Sequence, residues 1–587
     1  MNSNFPEISK ILSAVARGSL DNVLKGAKNP AAFQRHPEAV RLLEEKTKEV
    51  LSEPITPLPW TRFRLFEDNG NRSEYENPKN RRRLRLICLQ NLILASENPD
   101  KSLDDELNDL LWATCDEFTW VLPAHIWTNT GRPADIQLDL GSCNTAFLIA
   151  EALFLLKDHI DPRVAERCRN ELRRRILDSF LGPYKRDWWE RGENNWGAVC
   201  AGYLGIVFLY EEKNLEKLNT ALPRLIKTLD NYLYSFPEDG SCIEGAAYWE
   251  YGLSHFAIFA DFLREYTNGE INLFANPSLK KIGLFYQRVL LTDTRTASFS
   301  DCKRFRLNSF GFMSKLAEQI DGVARPSGRL RQDPMTHPSP IFSIRDFLWT
   351  DPNQEATPLE DAVEYFPNTQ MLVVRKSPFA FGAIFGTNHA PHNHNDIGSF
   401  ILINNNDEGP MDLGQGNYNK QNFNHERYTI LNNGSQGHSV PIVDGNYQKY
   451  GAEFVSTDVT LKEEGDTVTY SGDIARAYPT DALTKLLRTF TVQSDKAITE
   501  VKDDFVYNGE AKPIVERFVG FAKPEIVKPG LVTFGPFEMT FNPLYPATVK
   551  VDSMTHLGGI TKEDVYLLDI ELPLGEESFT AQFAPKQ

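Results

Sequence analysis

The spacing of apolar residues changes once along this chain of 587 residues, and the change constrains the fold more than any other feature. Up to about residue 320, apolar residues recur at helical spacing, as in 144–160, 196–218 and 251–267. From about residue 370 the apolar runs are short, rich in β-branched and aromatic residues, and separated by Asn, Gly and Asp. The sequence therefore predicts a helical domain followed by antiparallel β-sheets in a sandwich.

The length of the chain supports a division into domains, because 587 residues are too many for one hydrophobic core. We predict a helical domain of antiparallel helix pairs over residues 1–340 and an antiparallel β-sandwich domain over residues 341–587. The segment 323–360, rich in Pro, Ser and Arg, is expected to link them. All seven cysteines precede residue 303, which agrees with a change of domain in this region.

Charge and composition exclude some classes of function. The formal net charge of −17 argues against general nucleic-acid binding, and an acidic ligand would need a local basic pocket. The sequence contains no run of 18 or more apolar residues, so no membrane span is expected. The N-terminus lacks the basic and apolar regions of a signal peptide, and an odd number of cysteines without a CxxC pair is typical of a reducing compartment. We therefore expect a cytoplasmic protein.

The segment 388–400, NHAPHNHNDIGSF, holds three His and one Asp within eight residues. Alternate residues of an extended segment point the same way, so His392 and His394 can share one face. Farther along, Asp412 and His438 complete with His394 a set of two imidazoles and one carboxylate, which suits Zn²⁺. The alternative is that these side chains only join strands through hydrogen bonds.

The helical half carries three groups of polar and aromatic residues. Asn194 and Asn195 precede a helix expected to begin near Trp196, where an Asn either caps the helix or faces a ligand. Tyr248 and Tyr251 are three residues apart and share a helix face, which is equally compatible with core packing. An upstream loop is suited to stacking on sugars and pairing with carboxylates. Its residues are Trp120, His125, Trp127 and Arg132.

Six motifs occur in a fixed order between about residues 110 and 450: TWVLPAH, LDLGSCNTA, NNWGAVC, DGSCIEGAAYWEYG, HNHNDIGSF and GHSVPIVDG. This ordered set resembles the heparinase II/III-like superfamily of polysaccharide lyases. The resemblance implies a helical (α/α) toroid followed by an antiparallel β-sandwich, with the substrate in a cleft between the domains. It also implies a lyase that cleaves uronic-acid-containing glycans, glycosaminoglycans in particular, by β-elimination.

The resemblance assigns roles to individual residues. Asn195 pairs with the uronate carboxylate, and Tyr251 fits the general acid best, with Tyr248 one turn away as the alternative. His392 is the other proton-transfer residue. The implied ligands of a structural Zn²⁺ are His394, Asp412 and His438, and no organic cofactor is expected. The residues expected to bind the substrate are Asn194, Trp120, His125, Arg132, Glu244 and Tyr428.

β-Elimination explains why these residue types are needed. The reaction removes the C5 proton of a uronate and expels the C4 oxygen, so a donor to the carboxylate stabilises the developing enolate-like charge. A Tyr has an ordinary pKa near 10 and needs local help to act as a base, whereas its protonated form donates readily to the leaving oxygen. Whether one residue serves both roles depends on a syn or anti course, which the sequence leaves open.

Two other functions remain compatible with the sequence. One is a lyase of the same mechanism acting on alginate or another uronan. For a lyase on either class of glycan, the expected cytoplasmic location favours exolytic action on short imported oligosaccharides. The other is a glycan-binding protein or a glycoside hydrolase on the same scaffold. A hydrolase needs two carboxylates beside the scissile bond, for which Glu244 and Asp396 are the candidates.

Overall fold

The computed structural model describes residues 5–305, 309–326, 343–556 and 561–586. The chain forms two compact units. The first consists of Met1–Phe236, Glu250–Leu284 and Leu307–Pro358. The second consists of Pro237–Trp249, Phe285–Arg306 and Leu359–Gln587. The predicted boundary between residues 340 and 341 lies outside the described residues. Two segments from the helical half of the sequence thus group with the C-terminal part, which apolar periodicity does not reveal.

Helices make up the regular structure of the first unit. In chain order the α-helices are α1 (Ile8–Arg17), α2 (Ala31–Gln34), α3 (Pro37–Leu51), α4 (Trp60–Phe63), α5 (Leu65–Asn69), α6 (Ser73–Ala95), α7 (Ser102–Cys115), α8 (Leu140–Leu155), α9 (Pro162–Leu172), α10 (Asp178–Leu181), α11 (Asn195–Glu211), α12 (Leu215–Tyr234), α13 (Ala246–Tyr266), α14 (Ser278–Arg288), α15 (Phe310–Gln319) and α16 (Ser343–Trp349). Of the helices in the described ranges, none is both long enough and apolar enough to cross a membrane.

Helices α8 and α11 form the centre of the first unit. They pack against each other, and α11 also packs against α12. Both are buried on almost every side, which explains why their sequences read as nearly continuous apolar runs. A capping box begins α8: the Asp139 carboxylate accepts a hydrogen bond from the backbone N–H of Ser142, whose hydroxyl accepts one from the Asp139 N–H. A short 3-10 helix, Trp188–Glu190, precedes α11.

Antiparallel sheets make up the second unit. The strands are β1 (Ala362–Phe366), β2 (Met371–Lys376), β3 (Phe379–Ile384), β4 (Phe400–Asn404), β5 (Asp407–Glu408), β6 (Ile442–Val443), β7 (Thr457–Glu464), β8 (Thr467–Asp473), β9 (Leu483–Gln493), β10 (Ile498–Tyr507), β11 (Ile514–Gly520), β12 (Glu525–Lys528), β13 (Leu531–Phe534), β14 (Phe537–Thr540), β15 (Ala547–Thr555), β16 (Lys562–Glu571) and β17 (Ser578–Pro585). The sheet orders are β1-β2-β3-β4-β5, β12-β13-β14-β17-β10-β9-β8-β7 and β15-β16-β11-β6.

One apolar core joins these three sheets. The ring of Phe400 on β4 lies 5.4 Å from that of Phe490 on β9 and 6.1 Å from that of Phe518 on β11, so each sheet contributes one member. Residues of β8 and β10 alternate between buried and half-buried positions, as expected for strands with one face on the core. A helical region followed by antiparallel sheets confirms the fold class that the change of period predicted.

A buried ion cluster connects this core to the loops that precede β4 and β6. Arg488 on β9 donates to the carboxylates of Asp503, its cross-strand partner on β10, and of Glu516 on β11. Its other nitrogen, Nη1, donates to the carbonyls of Gly398 (3.0 Å) and Ser439 (2.7 Å). All three side chains are fully buried, and burial together with the nearby Asp503 charge raises the pKa of Glu516 well above its usual value.

Replacing Arg488 by Met should therefore destabilise the second unit by about 3–5 kcal/mol, because the buried Asp503 carboxylate loses its counterion and Glu516 loses a hydrogen-bond donor. Hydrogen exchange of peptides from β9 and β10 measures this change without interference from the first unit. The matched control is Lys462→Met, which removes an exposed ion pair with Glu464 on β7 of the same sheet and should change stability by less than about 0.5 kcal/mol. Equal protection in Arg488→Met and the wild type would show that the cluster does not support the core.

Candidate active site

The carboxylate of Asp301 is the centre of a buried hydrogen-bond network in the second unit. Its Oδ2 accepts hydrogen bonds from His392 Nδ1 (2.9 Å), the Tyr418 hydroxyl (2.7 Å) and Arg427 Nη2 (2.8 Å), and its Oδ1 accepts one from His394 Nε2 (3.0 Å). Burial alone raises the pKa of this carboxyl. The hydrogen bonds from the two histidines and the charge of Arg427 outweigh burial and hold the pKa of Asp301 well below its usual value.

Asp301 also determines which nitrogen of each histidine carries the proton. A carboxylate only accepts hydrogen bonds, so the nitrogen that faces it must be an N–H. His392 is therefore protonated at Nδ1, and the lone pair of its Nε2 is left for other chemistry. His394 is protonated at Nε2, and the lone pair lies on Nδ1. The two histidines are therefore opposite tautomers, because His392 donates to Asp301 through Nδ1 and His394 donates to it through Nε2.

His438, like His394, has the lone pair on Nδ1, because its Nε2 faces a hydrogen-bond acceptor. His438 Nε2 lies 3.1 Å from the carbonyl of Asn432, so Nε2 carries the proton. Its Nδ1 lies 3.0 Å from Asp412 Oδ2, although these atoms are not in hydrogen-bonding geometry. The other carboxylate oxygen, Asp412 Oδ1, accepts the backbone N–H of Gly414.

Three unsatisfied acceptor atoms converge at this place. His394, Asp412 and His438 are fully buried, and one ligand atom of each lies within 4.8 Å of the others. His394 Nδ1, His438 Nδ1 and Asp412 Oδ2 have no hydrogen-bond partner in the described structure. Leaving two lone pairs and a carboxylate oxygen buried together is costly unless a cation neutralises them. The donor set therefore fits a divalent metal ion, and two imidazoles with one carboxylate are ligands typical of zinc.

The backbone around these groups is locally constrained. His392 has a φ of 56° and Ser300 a φ of 63°, both in the left-handed region that costs non-glycine residues about 1–2 kcal/mol. The Asp301 N–H donates to the His392 carbonyl (3.1 Å), which fixes the two strained segments against each other. Gly414 has a φ of 64°, and a Cβ there would lie 2.3 Å from the Cys302 carbonyl oxygen. Strain of this kind persists where the surrounding structure holds a functional side chain in place.

Tyr248 lies directly beside His392. Their ring centroids are 4.1 Å apart with an interplanar angle of 24°, and the Tyr248 hydroxyl is 2.7 Å from that of Tyr418. Because Tyr418 donates its own proton to Asp301, the proton between the two tyrosines belongs to Tyr248. Burial, with the nearby Tyr418 and Asp301 second, raises the pKa of Tyr248 well above its usual value. Tyr248 is therefore a protonated donor, whereas His392 Nε2 is an acceptor.

Tyr251 has different surroundings, in the first unit. Its ring lies 5.1 Å from that of His255, whose Nδ1 donates to the Tyr251 carbonyl (2.5 Å). The Nε2 of His255 consequently accepts from the Tyr203 hydroxyl (2.7 Å), which in turn accepts from the Asn144 amide (2.9 Å). Burial lowers the pKa of His255 to about 4 and raises that of Tyr251, so both stay neutral at physiological pH.

The other residues predicted in the helical half mostly have structural partners. Asn194 caps α11 by accepting the N–H of Trp196, and Asn195 is buried as the first residue of that helix. Trp120 is buried and donates through Nε1 to the Thr114 carbonyl. His125 Nδ1 lies 2.8 Å from the carboxylate of Asp139.

Three further predicted residues are held as follows. Arg132 donates from Nη1 to both carboxylate oxygens of Asp187, at 2.5 and 2.6 Å, within the first unit. In the second unit, Glu244 is buried and contributes to the raised pKa of Tyr248. The Tyr428 hydroxyl, also in the second unit, donates to Asn393 Oδ1 (2.9 Å). The second unit therefore unites Tyr248, Glu244, Tyr428, His392 and the three metal-ligand candidates.

Sequence reasoning did not find Asp301, Tyr418 or Arg427. Asp301 is 91 residues from His392 and follows no recognisable pattern in ASFSDCKR. Tyr418 and Arg427 lie between the candidate ligands Asp412 and His438, where the position of Arg427 directly before Tyr428 is the only signal in the sequence.

We expect Asp301→Asn to weaken Zn²⁺ binding by roughly 10–100-fold in Kd, because the partner that fixes the His394 ring and its tautomer is lost. Titration of metal-depleted protein with Zn²⁺ measures this affinity, with His394→Ala as the variant that removes a ligand. The matched control is Asp293→Asn, an exposed carboxylate in the same segment, which should bind Zn²⁺ like the wild type. Wild-type affinity in Asp301→Asn would show that the carboxylate does not orient the site.

No protein-family model matches this sequence, and no curated protein matches it either. Solved structures do match, and they define the class of fold: a helical toroid followed by a β-sandwich, as in heparinase-type polysaccharide lyases. This confirms the expected architecture.

Three of these structures show how far the likeness extends. A crystal structure of heparinase III has a TM-score of 0.62 and 15% identity, over 88% of this chain and 78% of that one. A heparinase III with methylated lysines has a TM-score of 0.57 and 12% identity, over 88% and 78%. Heparan sulfate lyase HepC from Pedobacter heparinus has a TM-score of 0.54 and 11% identity, over 94% and 88%. At these identities the likeness establishes the fold alone.

Proposed function

We propose that this protein is a polysaccharide lyase that cleaves uronic-acid-containing glycans by β-elimination, with heparan-sulfate-type chains favoured. The observation that carries the proposal is the Tyr248–His392 pair, which presents a protonated hydroxyl beside an imidazole with a free lone pair. β-Elimination needs one proton removed and one supplied, and this pair offers both. The fold shared with heparinase III and a heparan sulfate lyase supports the glycosaminoglycan class.

In this mechanism the two proton transfers are assigned to different residues. His392 Nε2 removes the C5 proton of the uronate, and the Asp301 carboxylate stabilises the imidazolium that forms. The Tyr248 hydroxyl protonates the C4 oxygen as it leaves, and the Tyr418 hydroxyl, 2.7 Å away, can donate to the phenolate that forms. Sequence reasoning favoured Tyr251 as the acid. We propose Tyr248 because it contacts His392. The pairing of Asn195 with the uronate carboxylate remains a prediction.

The metal has a structural role in this proposal. His394, Asp412 and His438 would hold Zn²⁺, whose charge neutralises the buried acceptor atoms and joins three loops of the second unit. His394 is two residues from His392, so a metal ion held by His394 would also fix the segment that carries the base. Proton transfer itself uses only side chains of the chain.

Tyr248→Phe is expected to lower kcat at least 100-fold, because it removes the proposed acid while keeping the ring stacked on His392. Tyr251→Phe is the matched control on the same helix and should retain activity within about tenfold of the wild type, as expected for a residue outside the proton-transfer pair. The assay follows the ultraviolet absorbance of the 4,5-unsaturated uronate with heparan sulfate, chondroitin, hyaluronan and alginate oligosaccharides.

The outcomes of this assay separate the candidate functions. Loss of activity in Tyr251→Phe but not in Tyr248→Phe would restore the assignment to Tyr251. Product from alginate alone would move the substrate to another uronan. New reducing ends without absorbance would indicate hydrolysis, for which Glu244 and Asp396 are the available carboxylates; both are buried.

We further expect a syn course. The acid and base lie side by side, with ring centroids 4.1 Å apart, so both approach one face of the sugar. A syn elimination requires the C5–H and C4–O bonds on the same face, as they are in glucuronate and not in iduronate. Heparan sulfate oligosaccharides with glucuronate at the cleaved position should therefore react at least tenfold faster, in kcat/KM, than matched iduronate oligosaccharides. Preference for iduronate would contradict the assignment of both roles to this pair.

A further inference from the structure

Two adjacent tryptophans in the first unit have opposite environments. Trp189 is fully buried, and its Nε1 donates to the Leu138 carbonyl (3.1 Å). Trp188, the residue before it, is 46% exposed. The core position of Trp189 requires that Trp188 point outward. A single exposed aromatic side chain is ordinary on a protein surface, so the case for a ligand at Trp188 depends on the residues around it.

Trp188 belongs to an aromatic surface rather than standing alone. Its ring centroid lies 5.0 Å from that of Trp196 and 6.3 Å from that of Trp127, which are themselves 5.8 Å apart. The His125 ring lies 4.7 Å from Trp196 and supports it from one side. We call Trp127, Trp188 and Trp196 the tryptophan platform. The electron-rich face of an indole attracts the C–H bonds of a pyranose, which suits such a surface to sugar stacking.

The segment that carries Trp188 is held rigidly. Arg132 donates to both oxygens of Asp187 and lies over the Tyr184 ring at 5.3 Å. Glu190 forms a two-point ion pair with Arg224 on α12, at 2.8 and 3.0 Å. Residues on both sides of Trp188 are thus fixed by buried charges, and the ring loses little further freedom when a ligand binds. Arg132, predicted to contact the substrate, acts here as a positioning residue for the platform.

The same segment is locally cationic. Lys185, Arg186 and Arg191 are exposed, and within the described residues no Asp or Glu oxygen lies within 4.0 Å of their charged nitrogens. One exposed acid, Glu193, lies in this segment, and Asp187 is neutralised by Arg132. Three unpaired cations within seven residues are notable in a chain with a net charge of −17, because they provide a local field that attracts anions.

We infer that the tryptophan platform with Lys185, Arg186 and Arg191 is a binding subsite for an anionic pyranose residue. One face of the sugar stacks on Trp188, and the cations pair with its carboxylate or sulfate groups. The inference deepens the proposed function and rests on it for the identity of the saccharide. It adds residues that determine affinity and specificity and that take no part in proton transfer.

Calorimetric titration with a heparan sulfate oligosaccharide tests the subsite directly. Tyr248→Phe protein serves as the background, so that the ligand is not consumed. Trp188→Ala in this background should weaken Kd at least tenfold. The matched control is Trp60→Ala, which removes an exposed tryptophan elsewhere in the first unit and should change Kd less than twofold. Equal Kd values for Trp188→Ala and the background protein would overturn the inference.

The cationic component is tested by salt dependence. Arg186→Ala with Arg191→Ala should weaken binding at low ionic strength, and the difference from the background protein should shrink as salt is added. The control is Lys25→Ala with Lys48→Ala, two exposed cations outside the segment, with affinity expected to be unchanged. Binding of a neutral cello-oligosaccharide as tightly as the sulfated one, or of neither, would contradict an anionic subsite.

Kinetics distinguish this inference from the proposed function. With Tyr248 intact, Trp188→Ala should raise KM at least tenfold while kcat changes less than twofold, since the platform binds and does not transfer protons. Oligosaccharide binding that depends on Trp188, without any unsaturated product, would keep the subsite and refute the lyase. If Trp188→Ala forms unsaturated product with the KM and Kd of the protein that keeps Trp188, the lyase proposal stands and the subsite inference is refuted.

Discussion

The charge of one buried carboxylate, Asp301, determines the chemistry of the second unit. Asp301 accepts hydrogen bonds from His392 Nδ1 and from His394 Nε2, so the two imidazole rings are opposite tautomers. One lone pair is thereby available for proton transfer and the other for metal binding. Arg427 and Tyr418 complete the set of donors and keep the carboxylate ionised. The proposed base and the candidate metal ligand His394 are thus parts of one electrostatic unit around Asp301.

The sandwich core determines where this unit lies. Arg488, itself neutralised within the sheets, donates to the carbonyls of Gly398 and Ser439. Gly398 closely follows His394 in the chain, and Ser439 directly follows His438. The sheets therefore anchor, through one buried cation, the two chain segments that carry the candidate histidine ligands. A buried ion cluster is costly to form, and its persistence here is explained by the two chain segments that it positions.

The sequence predicted the parts of this protein that depend on short-range pattern. The change from helical to strand periodicity gave the fold class, and clustered histidines pointed to His392, His394 and His438. Distant partners were not predictable: Asp301 lies in a segment with helical neighbours, and nothing in its surroundings indicates that it packs with the β-rich unit. The choice between Tyr248 and Tyr251 was similarly undetermined, because both share a helix face and only tertiary contacts distinguish them.

Whether a cation can bind a ligand depends on whether a carboxylate of the protein already pairs with it. Arg132 had the right chemistry to pair with a sugar carboxylate, but Asp187 already occupies its guanidinium. The exposed cations without an ion-pair partner among the described residues, Lys185, Arg186 and Arg191, lie within four residues of Asp187 in the segment around Trp188. An acidic protein can bind an acidic glycan in this way, because salt screens exposed charges. At physiological ionic strength the screening length is about 8 Å, so negative side chains farther from the glycan than this repel it only weakly. The local balance of paired and unpaired charges, rather than the net charge of −17, therefore decides which ligands this surface attracts.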